Sequence, residues 1–127
     1  MLICDIRNHR IRRVDLKTGL IDTWAGTGER ALTPDGAPLK GSPLNGPRAI
    51  DIDPQGRVWV TEAVNYRQWE GRNPGLHHDE GDRVVVLEDS DGDGVADKST
   101  VFAQDKDLVS PLGICWLPDK VLVSCSP

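Results

Sequence analysis

Five acidic side chains crowd the stretch Glu88 to Ser99, EDSDGDGVADKS. Asp89, Asp91 and Asp93 alternate, Gly94 follows at once, and Asp97 comes four residues after Asp93. Calcium loops of the EF-hand type use that spacing: oxygen ligands at positions 1, 3, 5, 7 and 9, with a glycine at 6 for the sharp bend. The expected ligand set is therefore Asp89, Asp91, Asp93, the backbone carbonyl of Val95, and Asp97. Close-packed carboxylates repel one another, and a bound cation offsets that repulsion. The twelfth position holds Thr100 in place of a bidentate glutamate, so the expected dissociation constant is modest, about 10⁻⁴–10⁻³ M. Magnesium suits such a flexible multi-carboxylate cage less well. The plainer alternative is an acidic turn that uses Asp and Gly only for their turn geometry.

A second group of chemically useful side chains lies in AVNYRQWEGRNPGLHHDEG at 63–81, with Tyr66, Arg67, Trp69, Arg72, His77 and His78 as candidate ligand contacts. Adjacent histidines on a strand point to opposite faces and chelate poorly. His77 and His78 are read first as exposed loop residues, and second as ligands or acid–base groups.

The elements that must position these groups repeat along the chain. Leu44–Glu62 reads LNGPRAIDIDPQGRVWVTE and Leu108–Cys125 reads LVSPLGICWLPDKVLVSC, matching Pro47 to Pro111, Ile50 to Ile114, Pro54 to Pro118, and Val58/Val60 to Val121/Val123. LICDIRNHR at 2–10 aligns with WVTEAVNYR at 59–67 as a third, partial copy. Period-2 alternation marks strands: a and b over about 47–62, c over 82–88, d over 98–103, then a and b again over 111–125. Residues 2–25 supply b, c and d of a preceding unit. Four-stranded antiparallel units in series predict an all-β chain, a partial β-propeller with one complete blade and two partial ones. The expected divisions are 1–46 (partial blade and connecting loop), 47–107 (complete blade with the acidic loop) and 108–127 (start of the next blade). On this reading the chain is a segment whose partners are the missing blades. A small self-contained β-sandwich is the alternative.

Antiparallel parity sorts the loops. The long connections 26–46 and 63–81 are b–c or d–a links and fall at one end of the blade, a usual setting for a ligand or partner site. The acidic loop, a c–d turn, falls at the other end, where a metal braces a hairpin.

Composition narrows the function classes. The net charge of −5 argues against nucleic acid as a partner despite the basic run RNHRIRR at 7–13. Cys4, Cys115 and Cys125 form no CxxC pair, which leaves zinc and thiol redox chemistry without support. No apolar run approaches a membrane span, and MLICDIRNHR lacks a signal-peptide pattern.

Two resemblances add to this reading. Residues 1–62, with DIRNHRIRRVDLKTGLIDTWAGTG, a PDGAP spacer and LNGPRAIDIDPQGRVWV, resemble NHL-repeat propellers. Residues 53–127, with DPQGRVWVTEAVNYR, GDRVVVLEDSDGDGVADKSTVFAQ and PLGICWLPDKVLVSCSP, resemble the propeller of membrane-bound dehydrogenases of planctomycete and verrucomicrobial bacteria. That family is similar to soluble sugar dehydrogenases using pyrroloquinoline quinone. The second resemblance implies a periplasmic or otherwise extracytoplasmic oxidoreductase with its quinone held in the full-length protein. The first implies a non-catalytic propeller of a kind that binds proteins, peptides or RNA, RNA being disfavoured here by the acidic charge; the expected partner at the long-loop face is a protein or a small ligand such as a carbohydrate. Sugar dehydrogenases carry a catalytic histidine in G-x-x-x-H-P. The corresponding segment Gly113-Ile114-Cys115-Trp116-Leu117-Pro118 has Leu117 at that place, and leucine cannot act as a base.

Overall fold

Alternating or continuous runs of Val, Ile, Leu and Trp, punctuated by Gly and Asp turns, specify nine strands among the described residues. The computed structural model describes residues 1–36, 38–66 and 78–126. Its strands are β1 (Leu2–Asp5), β2 (Arg10–Val14), β3 (Ile21–Ala25), β4 (Pro47–Ile52), β5 (Val58–Glu62), β6 (Arg83–Glu88), β7 (Lys98–Gln104), β8 (Pro111–Leu117) and β9 (Lys120–Cys125). One 3-10 turn, Ile6–Asn8, follows β1. The chain is all-β, and the strands expected from alternation are present in the expected order. They form three antiparallel sheets, β1-β2-β3, β4-β5-β6-β7 and β8-β9, none of which closes on itself.

The middle sheet holds the core because both of its faces are covered. Every residue of β5 is buried, and so are the first five of β6. Val58, Val60, Val85 and Leu87 share one face and pack with Ile11, Trp24 and Ala25 of the first sheet. Trp59, Val84 and Val86 share the other face and pack with Ile114, Trp116, Val121 and Val123 of the third. A strand buried on both sides needs apolar residues at both parities, and Val58-Trp59-Val60 and Val84-Val85-Val86 supply them. The outer sheets bury one face each, so they read as alternating instead.

The link from β3 to β4 does more than turn at the rim. Its middle part runs along the outer edge of β7, where Gly36 N–H donates to the Ser99 carbonyl at 2.8 Å and Leu39 N–H to the Asp97 carbonyl at 2.8 Å. Val101 N–H donates to Asp35 Oδ1 at 2.9 Å, and Ser99 Oγ donates to the Pro34 carbonyl. A bare sheet edge offers unpaired backbone groups, and this strap satisfies several of them. Leu39 and Leu44 go into the first inter-sheet core, each 1% exposed. The loop therefore touches both ends of the middle sheet, whereas parity alone placed it at one.

Leu87 is fully buried between the first two sheets. Leu87→Ala is expected to lower the unfolding free energy by about 2–5 kcal/mol, read by chemical denaturation, while an exposed control such as Leu16→Ala changes it by under about 0.5 kcal/mol.

Candidate functional site

The acidic turn joins β6 to β7, at the end of the middle sheet away from the β5–β6 connection. Asp97 N–H bonds the Glu88 carbonyl at 2.9 Å and closes the hairpin. Within it, one oxygen each of Asp89, Asp91 and Asp93 lies within 4.8 Å of the others. Oxygens bound to one calcium at about 2.3–2.6 Å can be separated by up to about 5 Å, so this triad fits the ion. Asp89 accepts from Gly92 N–H at 2.8 Å through Oδ1 and from Gly94 N–H at 2.9 Å through Oδ2. Asp91 Oδ1 accepts from Asp93 N–H at 3.1 Å, and Asp93 Oδ1 from Val95 N–H at 2.9 Å. Gly94 has φ 87°, and a side chain there would run into the Arg13 guanidinium, which donates to the Gly94 carbonyl at 2.8 Å. The glycine thus serves both the bend and the dock onto the first sheet.

Asp97 stands apart from the triad. Its Oδ1 accepts from Ser90 N–H at 3.0 Å, and its Oδ2 accepts from Ser90 Oγ at 2.8 Å. These bonds hold its carboxyl below the ordinary range. A cation already faces the loop: Lys40, on the strap, pairs with Asp93. The Lys40 ammonium, with the Val95 N–H, holds the Asp93 carboxyl low, and Asp93 in turn raises the lysine, helped by Asp91 and Asp97. Spacing within the loop gave no sign of this counter-ion, because Lys40 lies 53 residues away in sequence.

At the opposite end, the two long connections meet over the ends of β5 and β6. Glu62 is 1% exposed and Arg83 is 7% exposed. Arg83 Nε and Nη2 both donate to Glu62 Oε2, at 2.7 and 2.6 Å. Thr33 Oγ1 donates to Glu62 Oε1, and Asn45 N–H donates to Thr33 Oγ1 at 3.1 Å. Burial pushes the Glu62 carboxyl up, and Arg83 with Thr33 opposes that. Asp82, fully buried, accepts from Val64 N–H at 3.0 Å, Asn65 N–H at 2.9 Å and Ser110 N–H at 2.9 Å. It thereby ties the start of the 63–81 connection and the end of the β7–β8 link to the start of β6.

Two of the loop candidates can be located. Tyr66 is half-buried, with the Arg48 guanidinium 4.5 Å from its ring centre, a cation–π geometry. His78 was expected first as an exposed loop residue, but it is 6% exposed. Its backbone pairs with the Asn65 side chain at 2.8 and 3.0 Å, and its Nε2 lies 3.2 Å from Asn45 Nδ2. The correction has a physical cause: the Asn65 amide mimics a strand partner and draws His78 inward. Arg67, Trp69, Arg72 and His77 lie outside the described residues. Sequence reasoning passed over Glu62, Arg83 and Asp82. Charged residues at the ends of otherwise apolar strands are the signal that could have found them.

A third polar centre braces the β4–β5 turn. Asp53, 3% exposed, accepts from Gln55 and Arg57 N–H at 3.0 and 2.9 Å, from Arg57 Nε at 2.6 Å and from Trp59 Nε1 at 2.9 Å. Burial alone would raise its carboxyl. The bonds from Trp59 and Arg57 outweigh that and hold it below the ordinary 3.8. The three cysteines are free, and burial pushes the Cys4 thiol up to about 12, far from a reactive thiolate.

Two outcomes follow from these polar centres. Glu62→Ala leaves Arg83 buried without its carboxylate and is expected to cost about 3–5 kcal/mol of stability, measured by denaturant titration. The depressed Asp53 carboxyl contributes stability that is complete above its unfolded value and lost as pH falls through its lower folded one. In Asp53→Asn the fall in melting temperature below about pH 4 should therefore be shallower than in the parent chain.

Residues 42–127, about two thirds of the chain, match the family described as a domain of unknown function, DUF7133. The match takes in β4 to β9 and with them the acidic turn and most of the polar rim. No curated protein and no solved structure matches the chain. By that match over most of its length, the chain belongs to the DUF7133 family.

Proposed function

We propose that the chain is a segment of a β-propeller in which the three sheets are successive blades, the acidic turn is a structural calcium site, and the long-loop rim is a binding face. The observation that carries this reading is the repeated placement of matching residues. Val58 and Val60 pack on the sheet before them, and the matching Val121 and Val123 pack on the sheet before theirs. A self-contained sandwich has no reason to repeat the same contact in the same register.

The calcium proposal is supported by the carboxylate triad and by its linkage to the scaffold. Asp89, Asp91 and Asp93 are the chain's direct donors, with the Val95 carbonyl and water supplying further oxygens. Asp97, held in place by Ser90, stands at the ninth position of the loop as the further carboxylate of the set. Arg13 and the strap tie this turn to the first sheet, so a bound cation would brace the β6–β7 hairpin and the seam between two sheets together. An affinity of about 10⁻⁴–10⁻³ M fits an extracytoplasmic setting.

Between a dehydrogenase propeller and a non-catalytic one, this segment favours the scaffold role. Leu117, at the place of the sugar dehydrogenases' histidine, pairs with Lys120 at a hairpin turn and offers no base. Any quinone chemistry would come from parts of a full-length protein beyond these residues. At the rim, the Arg48–Tyr66 stack suits a protein or carbohydrate ligand. No described helix is long and apolar enough to cross a membrane.

Thermal unfolding with millimolar calcium and then with chelator tests the proposal. At tenfold the dissociation constant the gain is about 1.4 kcal/mol, or roughly 4–6 °C for a chain of this size. Asp91→Ala with Asp93→Ala should abolish the shift. Lys40→Gln, which removes the competing ammonium, should enlarge it. A calcium shift that survives the double substitution would rule out this site.

A further inference from the structure

One guanidinium at the rim is held in place but has no oxygen to bond. Arg10, Arg13, Arg30, Arg57 and Arg83 each donate to a carbonyl, an amide oxygen or a carboxylate. Arg48 is half-buried, with its guanidinium 4.5 Å from the Tyr66 ring centre, yet among the described residues no oxygen accepts from it. Arg7 and Arg12 lack an acceptor too, but no described ring holds them. The fold does not call for a guanidinium at this place. Arg48 sits where the β4–β5 register shifts, between Pro47 and Ala49. The third sheet has the same irregularity between Pro111 and Gly113, and the residue there is Leu112. Such a bulge re-aims a side chain out of the ladder, and the Tyr66 ring then fixes the plane of the guanidinium. Its N–H groups form a rigid fork that matches a carboxylate with two parallel bonds. One residue before Tyr66, Asn65 lines a depression of about 350 Å³ with His78, Asp79, Gly81 and Lys106. The walls of that depression are mainly polar, and Asp79 can accept from hydroxyls where Lys106 can donate to them.

We infer that the rim takes a sugar acid, with Arg48 gripping its carboxylate and the depression beside Asn65 receiving its hydroxyls. The inference deepens the binding-face reading above and rests on it. A single fork matches a single carboxylate. A protein partner presenting a run of acidic side chains would meet Asp79, Glu80, Asp105 and Asp107 at the same rim and be repelled. A small ligand with one carboxylate and several hydroxyls meets the cation and the polar walls without that penalty.

Isothermal titration calorimetry of the whole chain with glucuronate, glucose and acetate tests this. Glucuronate should bind about tenfold or more tightly than glucose, which lacks the carboxylate, and than acetate, which lacks the hydroxyls. Arg48→Leu, which copies the residue of the third sheet, should erase the preference over glucose. Arg48→Lys, which keeps the charge without the fork, should retain only part of it. Circular dichroism and thermal unfolding of both variants should match the parent chain, showing that the sheets stand. Glucose bound as tightly as glucuronate, with Arg48→Leu unchanged, overturns the sugar-acid inference and leaves a rim that binds. Acetate bound as tightly as glucuronate overturns it too, because the carboxylate alone then accounts for the binding. A folded chain that binds none of the three also overturns it, and the binding-face reading then rests on protein ligands alone.

Discussion

Burial of the middle sheet on both faces is the constraint from which the rest of the structure follows. Because every residue of β5 is buried, each side chain on it must be apolar or fully satisfied. Val58, Trp59 and Val60 meet the first condition. Thr61 and Glu62 meet the second: Thr61 Oγ1 accepts from Ala49 N–H at 3.1 Å, and Glu62 takes the guanidinium of Arg83. A carboxylate taken out of water without such partners is costly by several kcal/mol. The network around it consequently recruits Thr33 and Asn45 from one long connection, while Asp82 binds the start of the other. The rim is rigid at its base because the strand beneath it cannot tolerate an unpaired charge.

The two ends of the middle sheet are held by different means. At the rim, carboxylates are buried and satisfied by fixed N–H and guanidinium donors. At the β6–β7 turn, the carboxylates are exposed or nearly so and are satisfied by backbone N–H groups of the same loop, with one lysine as counter-ion. Only the second arrangement leaves oxygens facing one another with a replaceable cation beside them. That difference is why we propose metal binding at the turn and ligand binding at the rim. The strap at 34–41 joins the two ends, since it leaves the Thr33 anchor, follows β7 and presents Lys40 to the acidic turn.

Much of this was legible in the sequence. Strand positions, their pairing and the closing of one hairpin by the acidic loop came from alternation, turn residues and the repeat. Those signals are local, or recur at fixed spacing. The course of the strap was not legible, because its bonds to Ser99 and Val101 span some 65 residues and Pro34, Asp35 and Gly36 resemble an ordinary turn. His78 read as exposed because its partners Asn45 and Asn65 lie 33 and 13 residues away. The Asp97 spacing fits a ligand position. Spacing does not reveal that the Ser90 N–H and hydroxyl also bond that carboxylate.

Hydrogen exchange along the whole chain, with and without calcium, tests the central claim most directly. The account predicts that the amides of β5 and β6 exchange slowest, at the rate of global unfolding, with β9 and β3 opening sooner. Calcium should add protection at 89–98 and along the strap facing it. Amides of β5 and β6 that exchange as fast as those of β9 would contradict a middle sheet sealed on both faces, and with it the reading of the three sheets as successive blades.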